Sequence, residues 1–141
     1  ENFLNLMRSK LIQLGLKETS IADPAGLSSQ TKSSAREFAK IAEAAFQNDF
    51  LKQILAIPEY SFTSSSGNSH RLVSTNTLIF DPRVIAAKTG FLNEVGQNYA
   101  ALVNVEGTKE GRLLIVIMGS TDRVRDMKAL LNWLEKGFLW K

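Results

Sequence analysis

Apolar residues recur at helical spacing over the first third of the chain. Residues 1–14 carry them three or four positions apart and are followed by Gly15, which predicts an amphipathic helix with a glycine stop. Ser34 and Glu37 then have the spacing of a capping box, and apolar residues follow on one face, which predicts a second helix. Residues 48–55 indicate a short third helix.

From Tyr60 onward the pattern is that of extended chain. The polar stretch around Gly67-Asn68 predicts a weak hairpin or an extended loop. Apolar, β-branched runs follow, and the last two are joined by a segment suited to a hairpin turn; the runs are 83–89, 97–105 and 111–119. Helical spacing returns over 122–138. Helices, an antiparallel sheet of about three strands and a closing helix predict an α+β fold.

Composition narrows the class of protein. A chain of 141 residues, 44% apolar and 22% charged, has room for no more than one domain and is typical of a folded protein or of part of one. The 17 basic residues are interleaved with 14 acidic ones, which disfavours nucleic acid as a partner. With no cysteine and His70 as the single histidine, we expect neither a metal site nor a cofactor. The start at Glu1, in mid-helix by pattern and without a leader Met, predicts a fragment of a longer product.

Four strings match the three motifs of penicillin-recognising serine enzymes, which are Ser-x-x-Lys, Ser-x-Asn and Lys-Thr-Gly in that order. The third, Lys88-Thr89-Gly90, is expected by chance only about 0.04 times in a chain of this composition. The other two types of string are each expected about once, so they carry little information. Only Lys88-Thr89-Gly90 distinguishes a true signature of this enzyme class from a chance match, and it lies on a predicted strand.

The serine-based strings have simpler explanations. Ser29 lies in a polar connector rather than at the start of an apolar helix, where a nucleophile activated by a lysine one turn later would be held. Ser66-Gly67-Asn68 is typical of a hairpin turn. Ser74-Thr75-Asn76 is typical of a strand end or a helix cap.

Almost the entire chain resembles the later part of the penicillin-binding domain of serine D-alanyl-D-alanine carboxypeptidases, the low-molecular-mass penicillin-binding proteins. The matching segments, in order, are 2–27, 33–46, 74–91 and 111–138. The resemblance implies part of a β-lactamase/transpeptidase-like fold. It also implies that the nucleophile and Ser-x-Asn motifs lie upstream of Glu1, so that this chain alone is inactive and needs a missing N-terminal half or a second chain.

Site roles follow from this resemblance. Lys88 would place a cation beside the nucleophile and the substrate carboxylate, and the backbone N–H of Phe91 would be an oxyanion donor. Thr89 would donate to the substrate carboxylate, and Gly90 would let a peptide lie against the strand edge. An arginine after the last strand commonly holds the terminal carboxylate in this family, and alignment leaves Arg123 and Arg125 both open.

The resemblance implies a carboxypeptidase that hydrolyses the terminal D-alanine of peptidoglycan stem peptides through an acyl-enzyme. It also implies inhibition by β-lactams and a periplasmic or extracellular place at the cell envelope. A β-lactamase-like hydrolase and a non-catalytic peptide-binding module remain open alternatives. A purely structural role also remains open, because half a sheet exposes an edge that must find a partner.

Overall fold

The computed structural model describes residues 2–107 and 111–136. Its elements in chain order are α1 (Asn2–Gln13), α2 (Ala35–Gln47), α3 (Asp49–Leu55), β1 (Glu59–Thr63), β2 (Ser69–Val73), a 3₁₀ helix (Thr77–Phe80), β3 (Val84–Leu92), β4 (Gly96–Asn104), β5 (Arg112–Ser120) and α4 (Arg123–Lys136). This order confirms the predicted α+β class. Residues 137 and 138 of the predicted closing helix lie outside the described residues.

The strands form two antiparallel sheets. Strands β3, β4 and β5 form a three-stranded meander in that order, which confirms the predicted arrangement, and β1 pairs with β2 in a separate hairpin. The turn between β1 and β2 contains Gly67 at φ +84°, which confirms the prediction from Gly67-Asn68. Part of the predicted turn between β4 and β5, residues 108–110, lies outside the described residues.

The apolar runs of the meander are continuous because helices cover both faces of the sheet. Successive strand residues point to opposite faces. Ala101 and Val103 of β4 pack with Met127 and Leu131 of α4 on one face. The other face, which includes Ala100 of β4, packs against Ala42 and Phe46 of α2. A strand buried on both faces has no polar side to show in its sequence pattern.

Helix α2 begins at the predicted cap but uses its glutamate differently. The Ser34 side chain accepts a hydrogen bond from the Glu37 backbone N–H, as predicted. The Glu37 carboxylate, however, accepts from the backbone N–H groups of Lys17 and Glu18, at 2.6 and 2.9 Å. It also accepts from the Thr19 hydroxyl at 2.6 Å. Glu37 therefore ties the connector after α1 to the start of α2.

Helix α1 leaves much of its apolar surface uncovered. Leu11 is its one buried residue among those described. Phe3 and Leu6 are each 62% exposed, and Ile12 is 77% exposed. The helix stops before Gly15, at φ +68°, as predicted. No helix among the described residues is both long and apolar enough to cross a membrane.

Candidate functional site

The Lys88-Thr89-Gly90 triplet lies in the second half of β3, at one edge of the meander. The first half of the strand is anchored by Ala86 and Ala87, which are buried on opposite faces of the sheet. Lys88, Thr89 and Gly90 pair with residues of β4 on one side, whereas no described strand pairs with the other side of β3. Strand alternation then turns Lys88 and Thr89 to opposite faces. The buried first half of β3 thus fixes the triplet at the unpaired edge of the described sheet.

The Lys88 side chain is exposed, and its Nζ donates a hydrogen bond to the Thr89 carbonyl oxygen. None of the ion pairs between described residues includes Lys88. Its charge is therefore not neutralised by a carboxylate of the described chain. An ammonium group in this state attracts an anionic ligand to the end of the strand.

A groove of about 580 Å³ runs beside this end of β3. Its lining comprises Lys88, Thr89, Gly90, Phe91, Thr75, Gln97, Arg123 and the loop 25–27. Two cations line it, and no carboxylate from the described residues does. The electrostatic character of the groove therefore favours a ligand with a negative charge.

The two candidate arginines have different surroundings. Arg123 is half-buried in the groove lining, and its Nη1 donates to the Gly90 carbonyl oxygen at 3.3 Å. Arg125 is exposed and binds the Asp126 carboxylate through Nε and Nη2, at 3.0 and 2.8 Å. This pairing raises the pKa of Arg125. The structure thus brings Arg123 together with the triplet and leaves Arg125 outside the groove lining.

The start of α4 determines this difference. The Asp122 carboxylate accepts from the backbone N–H groups of Val124 and Arg125, at 3.1 and 2.9 Å, so Asp122 caps the helix. Arg123 is consequently the first helical residue, adjacent to the groove. Ser120 donates to the Asp126 carboxylate at 2.6 Å, and this bond, with that from Arg125, lowers the pKa of Asp126.

A bulge between β4 and β5 sets the position of that helix start. Asn98 lies opposite two residues of β5, and its Oδ1 accepts from the Gly119 backbone N–H at 3.0 Å. Gly119 has φ +66°, a conformation that a residue with a Cβ rarely adopts. The neighbouring Gln97 accepts from the Arg123 backbone N–H at 3.2 Å and donates to the Thr121 carbonyl at 3.2 Å. These bonds hold the chain on each side of the cap.

The loop 25–27, which contributes to the groove lining, is held by Asp23. The Asp23 carboxylate accepts from the backbone N–H groups of Leu27 at 3.1 Å, Ser28 at 2.8 Å and Ala25 at 2.8 Å. The bonds from Leu27 and Ser28 are the main reason why the pKa of Asp23 lies below its usual value. The predicted connector is therefore an ordered loop, and its contribution to the groove was not foreseen from the sequence.

The serine-based strings take the structural places predicted for them. Ser29 lies in an exposed turn outside any helix and does not line the groove. Ser66 belongs to the β1–β2 turn. Asn76 caps the 3₁₀ helix, because its Oδ1 accepts from the Leu78 backbone N–H at 3.1 Å. No serine from the described residues lines the groove.

Thr75 is a groove residue that the sequence did not point to, as are Gln97 and the loop 25–27. Its Oγ1 lies 2.8 Å from Oγ1 of Thr89. The sequence draws attention to it only as the middle position of Ser74-Thr75-Asn76, where a cap was predicted. No local pattern connects this position with a strand residue 14 positions later.

Sequence relatives cover nearly all of the chain. The model of the D-alanyl-D-alanine carboxypeptidase family, peptidase family S11, matches residues 1–122. A D-alanyl-D-alanine endopeptidase of Pseudomonas aeruginosa is 27% identical over 96% of this chain and 44% of that protein. The D-alanyl-D-alanine carboxypeptidase DacA of Haemophilus influenzae is 32% identical over 94% of this chain and 34% of that protein. The chain spans less than half the length of these curated relatives.

Solved structures share its fold. The D-alanyl-D-alanine carboxypeptidase of Mycobacterium tuberculosis has a TM-score of 0.78 at 26% identity, over 92% of this chain and 52% of that one. Penicillin binding protein 5 of Haemophilus influenzae has a TM-score of 0.77 at 29% identity, over 94% and 38%. The Streptomyces K15 DD-transpeptidase has a TM-score of 0.79 at 22% identity, over 94% and 53%. These likenesses confirm the predicted penicillin-binding, DD-peptidase type of fold.

Proposed function

Because the chain belongs to the D-alanyl-D-alanine carboxypeptidase family, we propose that it forms one wall of the active site of a serine-type D-alanyl-D-alanine carboxypeptidase. The observation that carries this proposal is the groove shared by the Lys88-Thr89-Gly90 triplet and Arg123. A strand edge with two cations that are not paired with any carboxylate of the described residues suits an extended peptide that ends in a carboxylate. The substrate class is the D-alanyl-D-alanine end of peptidoglycan stem peptides.

Each groove residue has a role in this proposal. Thr89 donates its hydroxyl proton to the terminal carboxylate of the peptide, and Arg123 forms charge-assisted hydrogen bonds with the same group. Gly90 lines the groove and, as a glycine, has no Cβ, so the peptide backbone lies close to the strand. The backbone N–H of Phe91 donates to the oxyanion that forms at the scissile carbonyl, and loss of one such donor typically costs about 3–4 kcal/mol.

The chemistry proceeds in two steps with a serine as nucleophile. The serine oxygen attacks the carbonyl carbon of the penultimate D-alanine, its proton passes to the leaving amine, and the terminal D-alanine departs. Water then attacks the acyl-enzyme, which releases the shortened peptide and restores the serine. Lys88 lowers the energy of the charged states in both steps through its cation. A β-lactam acylates the same serine.

We place the nucleophile upstream of Glu1, on the missing N-terminal half of the domain or on a second chain. No serine from the described residues lines the groove, and Ser29 lies in an exposed turn. The exposed apolar side chains of α1, Phe3, Leu6 and Ile12, provide surface for such a segment. The chain 1–141 is then a portion of one catalytic domain at the cell envelope, on the periplasmic or extracellular side.

Labelling with fluorescent penicillin tests this function. The complete gene product, meaning the polypeptide encoded by the open reading frame that contains these residues, should carry a covalent band after denaturing electrophoresis. The isolated 141-residue chain should carry none. A band on the isolated chain would place the nucleophile within it and make Ser29 the candidate.

The alternatives give different results in the same experiment. A complete gene product without a band, together with a natural chain that starts at Glu1, indicates a peptide-binding module. Rapid hydrolysis of penicillin without a persistent band indicates a β-lactamase. An upstream Ser-x-x-Lys on an apolar helix supports the serine enzyme.

An endopeptidase is the second candidate reaction, because a Pseudomonas aeruginosa endopeptidase matches 96% of the chain. The groove is open at the edge of β3, so it has room for a substrate that continues beyond the scissile bond, as a cross-linked peptide does. Purified uncross-linked and cross-linked peptidoglycan fragments distinguish the two reactions. A carboxypeptidase releases free D-alanine from the former, whereas an endopeptidase separates the two halves of the latter.

A further inference from the structure

Two threonine hydroxyls meet in the groove. Oγ1 of Thr75 lies 2.8 Å from Oγ1 of Thr89, which is hydrogen-bond distance, and both residues line the groove. Thr89 belongs to the triplet, whereas Thr75 precedes the 3₁₀ helix and has no role in the function proposed above. The contact therefore adds a residue to the site.

Thr75 is held in place by the residues next to it. The Ser74 backbone N–H donates to the Pro58 carbonyl at 2.8 Å, and the Ser74 hydroxyl accepts from the Asn76 backbone N–H at 3.2 Å. The buried Asn76 side chain accepts from the Leu78 backbone N–H at 3.1 Å and from the Tyr99 hydroxyl at 2.7 Å. Both flanking residues are thus fixed.

Tyr99 connects this segment to the triplet itself. It lies directly opposite Thr89 in the β3–β4 ladder, so one strand pair positions both ends of the contact. The phenol of Tyr99, whose pKa burial raises to about 12, donates the hydrogen bond to Asn76. Buried Asn76 and Tyr99 thus fix the backbone next to Thr75, whose own side chain is exposed.

The number of protons available decides the direction of the hydrogen bond. A hydroxyl carries one proton and two acceptor lone pairs. In the proposed function, Thr89 uses its single O–H in a hydrogen bond to the substrate carboxylate, so it has no proton with which to donate to Thr75. Thr75 must then be the donor, and a hydroxyl that accepts a hydrogen bond becomes a stronger donor itself.

We propose that Thr75 is a positioning residue that donates to Oγ1 of Thr89 and thereby directs the Thr89 proton into the groove, toward the carboxylate of the ligand. This inference rests on the proposed function. It assigns Thr75 no contact with the reacting atoms. Its effect is confined to ligands that present a carboxylate to Thr89.

The test compares Thr75→Val, which keeps the branched shape and removes the hydroxyl, with Thr75→Ser, which keeps the hydroxyl. The readout is the second-order rate constant for acylation of the complete gene product by a penicillin and by its carboxyl methyl ester. One neutral hydrogen bond contributes about 0.5–1.5 kcal/mol, so Thr75→Val should slow acylation by the free acid about 2- to 13-fold. Thr75→Ser should remain within about twofold, and the methyl ester should distinguish the variants by less than twofold.

A double-mutant cycle with Thr89→Val adds a second requirement. If Thr75 acts through Thr89, Thr75→Val should have no further effect once the Thr89 hydroxyl is absent. Independent, additive losses would overturn the proposal, and so would an equal loss in Thr75→Ser and Thr75→Val. Thr75→Ala removes the same hydroxyl and replaces Thr75→Val if the latter has a lowered melting temperature.

The unmodified protein separates failure of this inference from failure of the proposed function. If the unmodified complete gene product is not acylated, the proposed function is wrong and the positioning role falls with it. If that protein is acylated and Thr75→Val reacts at the same rate, the positioning role alone is wrong.

Discussion

Replacing Arg123 by glutamine should weaken the reaction with carboxylate-bearing ligands, whereas the same change at Arg125 should not. Arg123 lines the groove and uses Nη1 to bind the Gly90 carbonyl at 3.3 Å, which leaves the N–H groups of Nη2 directed to no described partner. Arg125 uses both Nε and Nη2 on Asp126. The two positions are two residues apart and differ in their partners, so each is a matched control for the other.

The expected magnitude follows from the kind of bond that is lost. A hydrogen bond to a charged group contributes about 1.5–3 kcal/mol, which corresponds to about 10- to 150-fold in a rate or binding constant. Arg123 is only half-buried, so solvent screening puts the expected loss near the lower limit, about tenfold. Exposed ion pairs contribute little, so Arg125→Gln should change the constant by less than about twofold.

The assay is the second-order rate constant for acylation of the complete gene product by penicillin, together with KM for a D-alanyl-D-alanine peptide and for its C-terminal amide. Arg123→Gln should raise KM for the free acid and leave the value for the amide nearly unchanged. Melting temperatures of the two variants serve as the control for folding. A larger loss in Arg125→Gln than in Arg123→Gln would refute the reasoning, as would an equal loss for the acid and the amide.

Three further predictions concern stability. Leu131→Ala should lower the free energy of unfolding by about 2–5 kcal/mol in chemical denaturation, because Leu131 is 1% exposed. Leu130→Ala, at a 36% exposed position, should lower it much less. Equal decreases in the two variants would contradict the assigned core. Burial alone would raise the pKa of Glu37, but bonds from Thr19 and two backbone N–H groups hold it below 4.5. The stabilisation of the fold by the Glu37 carboxylate should therefore be complete above about pH 5 and be lost as the pH falls through the folded-state pKa. The melting temperatures of Glu37→Gln and of the unmodified protein should accordingly differ most at neutral pH and converge in acid. Gly119→Ala should lower the melting temperature because of its φ of +66°, and an unchanged value would contradict the strained bulge.

Local sequence determines the elements that this protein forms. The side chain of Ser34 caps α2 through a backbone group three residues away, and Gly67 supplies the positive φ of the β1–β2 turn. The runs that became β3, β4 and β5 were recognisable because strands covered on both faces are apolar throughout. The triplet could also be assigned to a strand, since it follows directly on the apolar, β-branched residues of the run 83–89.

The assembly of the candidate site was decided by tertiary structure. Sequence left Arg123 and Arg125 equivalent, and the Asp122 cap together with the Asn98 to Gly119 hydrogen bond brings only Arg123 into the groove lining. The same holds for Thr75, whose partner Thr89 is 14 residues away. Helix caps and turns are determined by groups within a few residues of one another, so they leave a local pattern. A contact between distant side chains depends on strand register, a bulge and the packing of a helix start, none of which the residue pair itself encodes.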